Sequence, residues 1–129
     1  MNDFHSYLRL ALVFASLCAP AYAGPVDDCK GEDPARTIEG CTQLIAARGS
    51  KEISLASIHN RRGLAHQAFR NFDLAIADYG ESIRLDPKYF YAHVNRGWAL
   101  NEKRDYERAL IDLNEAIRLN AKYFIWQVY

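Results

Sequence analysis

The sequence of 129 residues has few of the features that mark several common classes of protein. Its three cysteines are too few for a small disulfide-rich scaffold or for a zinc site built from cysteine alone. Seven glycines and four prolines exclude a collagen-like or low-complexity chain. Because 16 Lys and Arg balance 16 Asp and Glu, no net charge favours nucleic acid or an anionic membrane surface as a partner. The length and the 50% hydrophobic content indicate one ordinary globular domain.

A run of ten uncharged residues, 10–19, lies near the N-terminus. A membrane-spanning helix needs about 20 apolar residues, so this run fits the shorter hydrophobic core of a signal peptide. Pro20 ends it, and Ala21-Tyr22-Ala23 supplies the small-x-small pattern of a cleavage site. We therefore predict that residues 1–23 are a signal peptide and that the mature chain, without a membrane span, is periplasmic or secreted. The alternatives are an uncleaved anchor and a buried helix.

Export would leave two cysteines, Cys29 and Cys41, in the mature chain, because Cys18 leaves with the signal peptide. Two cysteines in an oxidising compartment are expected to pair. A disulfide across their separation of twelve residues would stabilise the fold by about 3 kcal/mol in the chain-entropy model. The alternative is that Cys41 is a small buried side chain on a helix and Cys29 is unpaired.

The strongest signal is an internal repeat with a period of 34 residues. Residues 56–89 and 90–123 are identical at thirteen aligned positions. Each unit contains an amphipathic helical stripe with apolar residues at i, i+3, i+4, i+7 and i+11. The stripe consists of Phe72, Ala75, Ile76, Tyr79 and Ile83, and it recurs as Tyr106, Ala109, Leu110, Leu113 and Ile117. Each unit is therefore predicted to be a pair of helices.

Smaller features set the ends and the packing of these helices. Asn71 and Asp105 precede the stripes, where a side chain caps the first turn of a helix. Gly63 and Gly97 recur inside the first helix of each unit, where glycine costs about 1 kcal/mol. Their recurrence predicts a close crossing with the second helix. Asp86-Pro87 closes the first unit, because a residue before proline disfavours the helical conformation.

These residues resemble tetratricopeptide repeats, in period, in the glycine and alanine positions, in the aromatic at 72 and 106, and in the closing Asp-Pro. The resemblance implies an all-α fold, a short right-handed superhelical stack of antiparallel helix pairs, or TPR-like alpha solenoid. Residues 27–42 resemble, more loosely, the start of small exported repeat proteins of Gram-negative bacteria.

The segment Thr37–Ile45 aligns with Ala75–Ile83, as a second helix without its own first helix. We therefore expect a stack of about five helices. Its expected divisions are an N-terminal tether (24–33), a half-repeat helix and connection (34–55), two repeats (56–89 and 90–123) and the truncated start of a third repeat (124–129).

Candidate catalytic groups are few. His59 and His93 hold equivalent repeat positions and are predicted to pack, and His66 lies too far from His59 to share a metal ion. The sequence has no pattern that combines a nucleophile with a histidine and an orienting carboxylate. It also has no phosphate-binding glycine loop. We therefore predict that the protein is not an enzyme and holds no cofactor or metal.

Two repeated charges are predicted to have a structural role. Arg62 and Arg96 stand where the repeat family usually places leucine. We expect Arg62 to pair with Asp78 and Arg96 to pair with Asp112, with the arginine stems packed between helices.

The resemblance also implies a binding surface, because the first helices of such repeats line a concave groove. The groove positions carried over are Asn60, Leu64, Gln67, Tyr91, Val94, Trp98 and Asn101. Tyr91 and Trp98 lie seven residues apart on one helical face and are typical recognition anchors. The implied partner is a protein or peptide. The alternative for Trp98 is packing against the next helix. The carboxylate-clamping pattern of the family is not matched, since Leu64 stands where asparagine is required.

A second interpretation is a structural, self-assembling envelope protein. The C-terminal segment Phe124-Ile125-Trp126 is apolar, whereas the ends of a repeat stack are normally polar. It could dock head-to-tail on another copy and form a homo-oligomer.

Overall fold

The computed structural model describes residues 24–120, and this part of the chain folds into six helices without a strand. The predicted signal peptide and the predicted self-association segment lie outside the described residues. The helices, in chain order, are α1 (Pro25–Lys30), α2 (Pro34–Ala46), α3 (Leu55–Ala68), α4 (Phe72–Leu85), α5 (Phe90–Glu102) and α6 (Tyr106–Leu119). Each helix packs against the next one along the chain, which confirms the predicted TPR-like α solenoid.

Within residues 24–120, no helix combines the length and the apolar character needed to cross a membrane.

Side-chain caps start several helices. Asp105 caps α6 as predicted, accepting a hydrogen bond of 3.3 Å from the Arg108 amide. The same prediction for Asn71 is wrong, because its side chain makes no capping hydrogen bond to α4. A carboxylate gains more than a neutral amide from the positive end of a helix, which favours capping by Asp105.

Two close crossings explain the recurring glycines. A Cβ on Gly63 would lie 2.6 Å from a ring carbon of Tyr79, and one on Gly97 would lie 2.8 Å from Cγ of Leu113. Both separations are too short for a real contact, so only glycine fits without a shift of its neighbours. The predicted close packing of the first and second helices is therefore present in both repeats.

The N-terminal segment differs from the expected tether. Residues Pro25–Lys30 form α1, which packs against α2. The Cys29–Cys41 disulfide joins the two helices, and both cysteines are fully buried. A Cβ on Gly40 would lie 2.7 Å from the backbone nitrogen of Cys29, so α1 rests directly on α2. A helix of six residues thus takes the place of the first helix that the half-repeat lacks.

The apolar core is divided along the stack. The first cluster joins the three N-terminal helices around the disulfide, and its buried members are Cys29, Cys41, Leu44, Ile53 and Ile58. The second contains Ala75 and Tyr79 of α4 with Ala99 of α5, so it connects the two repeats. The core therefore depends on contacts between neighbouring units, as expected of a solenoid.

Candidate functional site

The exposed aromatic side chains of α5 define the candidate site. Trp98 is 58% exposed and Tyr91 is 53% exposed, although both lie in a well-packed helix. Leu64 of α3, 43% exposed, holds the repeat position equivalent to Trp98. We call the surface expected from Leu64 on α3 and from Tyr91 and Trp98 on α5 the groove. Trp98 is therefore not buried against the next helix within residues 24–120.

Two of the expected groove residues are buried instead. Asn60 is 4% exposed, and its Oδ1 accepts a hydrogen bond of 2.9 Å from Nδ2 of Asn95. Val94 is also buried and belongs to a cluster with Phe90 and Ala116. Both side chains face a neighbouring helix, so they hold α3, α5 and α6 in place and do not line an open surface. This corrects the expectation that they contact a partner directly.

The two remaining groove residues carry amides. Asn101 is exposed, whereas Gln67 is half-buried. The Tyr79 hydroxyl donates a hydrogen bond of 2.9 Å to Oε1 of Gln67, which fixes this amide. Burial, together with the nearby Asp78 carboxylate, raises the pKa of the Tyr79 hydroxyl far above its usual value, so it remains a donor. The Gln67 amide is thus held in one orientation by Tyr79.

A cavity of about 180 Å³ lies between α3 and the N-terminal hairpin, which consists of α1 and α2. One wall belongs to the α1–α2 turn and the start of α2, and the other belongs to α3. The lining residues are Gly31, Glu32, Pro34, Thr37, Arg61, Leu64, Ala65 and Ala68. Leu64 lies in both the groove and the cavity. The sequence pattern did not indicate this cavity, because one wall comes from a turn outside the repeat.

In each repeat, an Arg–Asp ion pair joins the helix that carries groove residues to the second helix of the repeat. Nε and one terminal nitrogen of Arg62 each donate a hydrogen bond of 2.8 Å to the Asp78 carboxylate. Arg96 makes the same two bonds to Asp112, both at 2.7 Å. Both predicted pairs are therefore confirmed. Because each joins the first helix of a repeat to the second, it fixes the helix that carries the groove residues.

The first of these pairs is part of a larger polar network. Nδ1 of His59 lies 3.0 Å from Oδ1 of Asp78, and the remaining terminal nitrogen of Arg62 donates to Oγ1 of Thr42 in α2 at 3.1 Å. Burial lowers the pKa of His66, and the neighbouring Asp78 charge opposes that shift. The network crosses from α2 through α3 to α4, so it also joins the N-terminal hairpin to the first repeat.

Two of the three histidines within residues 24–120 have hydrogen-bond partners. His59 bonds to Asp78, and Nε2 of His93 lies 2.9 Å from the Pro87 carbonyl, to which it donates. Among residues 24–120, no group of three or more His, Cys, Asp or Glu side chains is placed to hold a metal ion. The Arg–Asp pairs join neighbouring helices, while Tyr91 and Trp98 are exposed on α5.

Comparison with protein-family models gave two matches in this part of the chain. One tetratricopeptide repeat model matches residues 56–89, and a second matches residues 79–111. A comparison with curated proteins found no match. The two family matches overlap and together include α3, α4 and α5, the helices that build and support the groove.

Proposed function

Because the chain carries tetratricopeptide repeats, which generally mediate protein–protein interactions, we propose that it is a non-catalytic scaffold. Its proposed ligand is an extended peptide or a partner helix, bound in the groove of α3 and α5. The observation that supports this most strongly is the 58% exposure of Trp98. Exposed tryptophan on a rigid surface is a typical binding anchor.

The groove offers complementary contacts to such a ligand. Trp98 and Tyr91 supply large, rigid surfaces for apolar side chains, with Leu64 as a smaller apolar contact on α3. Gln67 and Asn101 supply amides that can pair with the backbone of an extended peptide. This combination of aromatic anchors with a few oriented polar groups is typical of peptide-binding surfaces.

We propose that this scaffold acts in the periplasm or after secretion. A buried disulfide fits an oxidising compartment, since reducing conditions in the cytosol disfavour such bonds. Export would use the predicted signal peptide, residues 1–23, with cleavage after Ala23. Sequencing the N-terminus of the protein recovered from a bacterial periplasm tests this, and an uncleaved N-terminus would contradict it.

A peptide-display library tests the groove directly. Peptides selected on the purified chain from Gly24 onward would be synthesised, and their Kd measured by titration. Loss of a central tryptophan anchor costs about 2 kcal/mol or more, so Trp98→Ala should raise Kd about 30-fold. Tyr106→Ala is the matched control, because Tyr106 is equally exposed but lies on α6. An unchanged Kd in a folded Trp98→Ala variant would contradict the proposal.

The second candidate function is structural self-assembly through Phe124, Ile125 and Trp126. The observation that favours it is the exposure of four large apolar side chains on α6, namely Tyr106, Leu110, Ile111 and Ile117. Light scattering during size-exclusion chromatography tests this candidate. A multimer that Trp126→Asp dissociates would support it, whereas a monomer at every concentration would exclude it.

A further inference from the structure

The apolar face of α6 is exposed although its counterpart in the first repeat is covered. Tyr106 is 56% exposed, Leu110 is 60% exposed and Ile117 is 44% exposed. We call these three residues the open face. Their repeat equivalents on α4 are Phe72, Ile76 and Ile83, and all three are half-buried. Phe72 and Ile76 pack in the cluster that contains Ala99 of α5. The open face is therefore built to receive a helix.

The other end of the stack is not complementary to this face. Of the large apolar side chains that are exposed within residues 24–120, none lies on α1 or α2. Those helices expose polar residues, among them Asp27, Lys30 and Glu39. Head-to-tail docking would therefore bury the open face against a polar surface, which is unfavourable. A contact between two open faces avoids this mismatch.

The charges beside the open face are self-complementary. Glu107 and Arg118 flank it at opposite ends of α6, and both are exposed. Glu107 forms no ion pair within the described residues, and Arg118 pairs only with its helical neighbour Glu115. A two-fold axis through the middle of α6 would place each Glu107 beside the Arg118 of the other copy, because antiparallel helices align their opposite ends.

We propose that a second copy of this chain docks on α6, with the two α6 helices antiparallel about a two-fold axis. Tyr106 of each copy then faces Ile117 of the other, and the Leu110 side chains meet near the axis. Two equivalent ion pairs between Glu107 and Arg118 fix the register. This shares with the self-assembly candidate only the premise that copies of the chain associate, it places the contact on α6 instead of residues 124–126, and it is independent of ligand binding in the groove. Since the apolar contact is small, the dimer is reversible and dissociates on dilution.

Charge exchange tests this geometry. Sedimentation of residues 24–129 from micromolar to millimolar concentration should show a monomer–dimer equilibrium. Glu107→Lys and Arg118→Glu should each raise the dimer Kd about tenfold, because two exposed ion pairs become like-charge pairs. The double variant should restore the original Kd. Within one chain these positions lie about 16 Å apart along the helix, so restoration requires contact between copies.

The matched control is Arg84→Glu, which removes the equivalent helical ion pair in the first repeat, Arg84 with Glu81, and should leave the dimer Kd unchanged. A monomer at all concentrations would overturn the proposal, and so would a double variant that fails to recover. If Trp126→Asp dissociates the dimer while the charge variants have no effect, the C-terminal segment is the contact. That result overturns the α6 geometry and leaves the assembly candidate standing.

Discussion

The two ends of the described stack differ in how the apolar side of the terminal helix is covered. At the N-terminal end, the short helix α1 covers α2 and is held there by a buried disulfide. At the C-terminal end of the described residues, α6 exposes the apolar side chains of the open face. Each repeat is apolar on the side that its successor covers, so a terminal repeat needs a separate cover. Within residues 24–120, the first end has a cover held by a disulfide, and the second exposes apolar side chains.

The largest expected effect concerns the covered end. Replacing Cys29 and Cys41 by alanine should lower the free energy of unfolding by about 3 kcal/mol, since a six-residue helix has little stability of its own. Urea denaturation of the oxidised protein and of the double variant measures this. Adding a reductant should destabilise only the protein that has the cysteines. Equal stability of the two proteins would show that packing alone holds α1.

The next prediction concerns how much the polar network of each repeat contributes to the free energy of unfolding. Asp78→Ala should lower the free energy of unfolding by about 3 kcal/mol, because it leaves Arg62 and His59 without their shared acceptor. Asp112→Ala should cost about 2 kcal/mol, because only Arg96 loses hydrogen bonds of normal length. Chemical denaturation measures both values. A larger loss for Asp112→Ala would contradict the comparison.

A smaller loss of stability is expected when a methyl group is added at either helix crossing. Gly63→Ala should destabilise the fold by about 2 kcal/mol, since the added Cβ meets the rigid ring of Tyr79. Gly97→Ala should cost about 1 kcal/mol or less, because the flexible Leu113 side chain can move away. Thermal unfolding of both variants checks the order. Equal losses would show that the two crossings are equally rigid.

The smallest effect is a gain in stability. Gly80 aligns with Thr42, and a Cβ there would lie 3.5 Å from a terminal nitrogen of Arg96. Gly80→Thr should therefore add the hydroxyl contact that Thr42 makes to Arg62, and with it about 1 kcal/mol. Gly80→Val has the same shape without the hydroxyl and should gain less. Identical melting of the two variants would exclude the added hydrogen bond.

Repetition explains which features the sequence alone predicted. The glycine crossings and the Arg–Asp pairs occur in both 34-residue units. Each occurrence therefore supports the same prediction in the other unit. The helices α3 to α6 and both ion pairs follow from it. The exposure of Trp98 also agrees with the position that the resemblance assigns to the groove.

Some features outside the repeat, and some side-chain orientations within it, were missed. The helix α1 is too short to show an amphipathic period, and its position depends on a disulfide and on close contact with Gly40. The cavity beside Leu64 depends on the same hairpin. Asn60 and Val94 were assigned to the groove because their repeat position faces it in related folds, yet here neighbouring helices cover both side chains.

The most direct test of the binding function is an NMR titration with a library-selected peptide, followed at the indole N–H of Trp98. We predict that the Trp98 signal shifts most, with smaller changes at Leu64 and Tyr91, and that residues Tyr106–Leu119 change little. A peptide that leaves the Trp98 signal in place and shifts only residues of α6 would contradict the assignment of the groove as the binding surface.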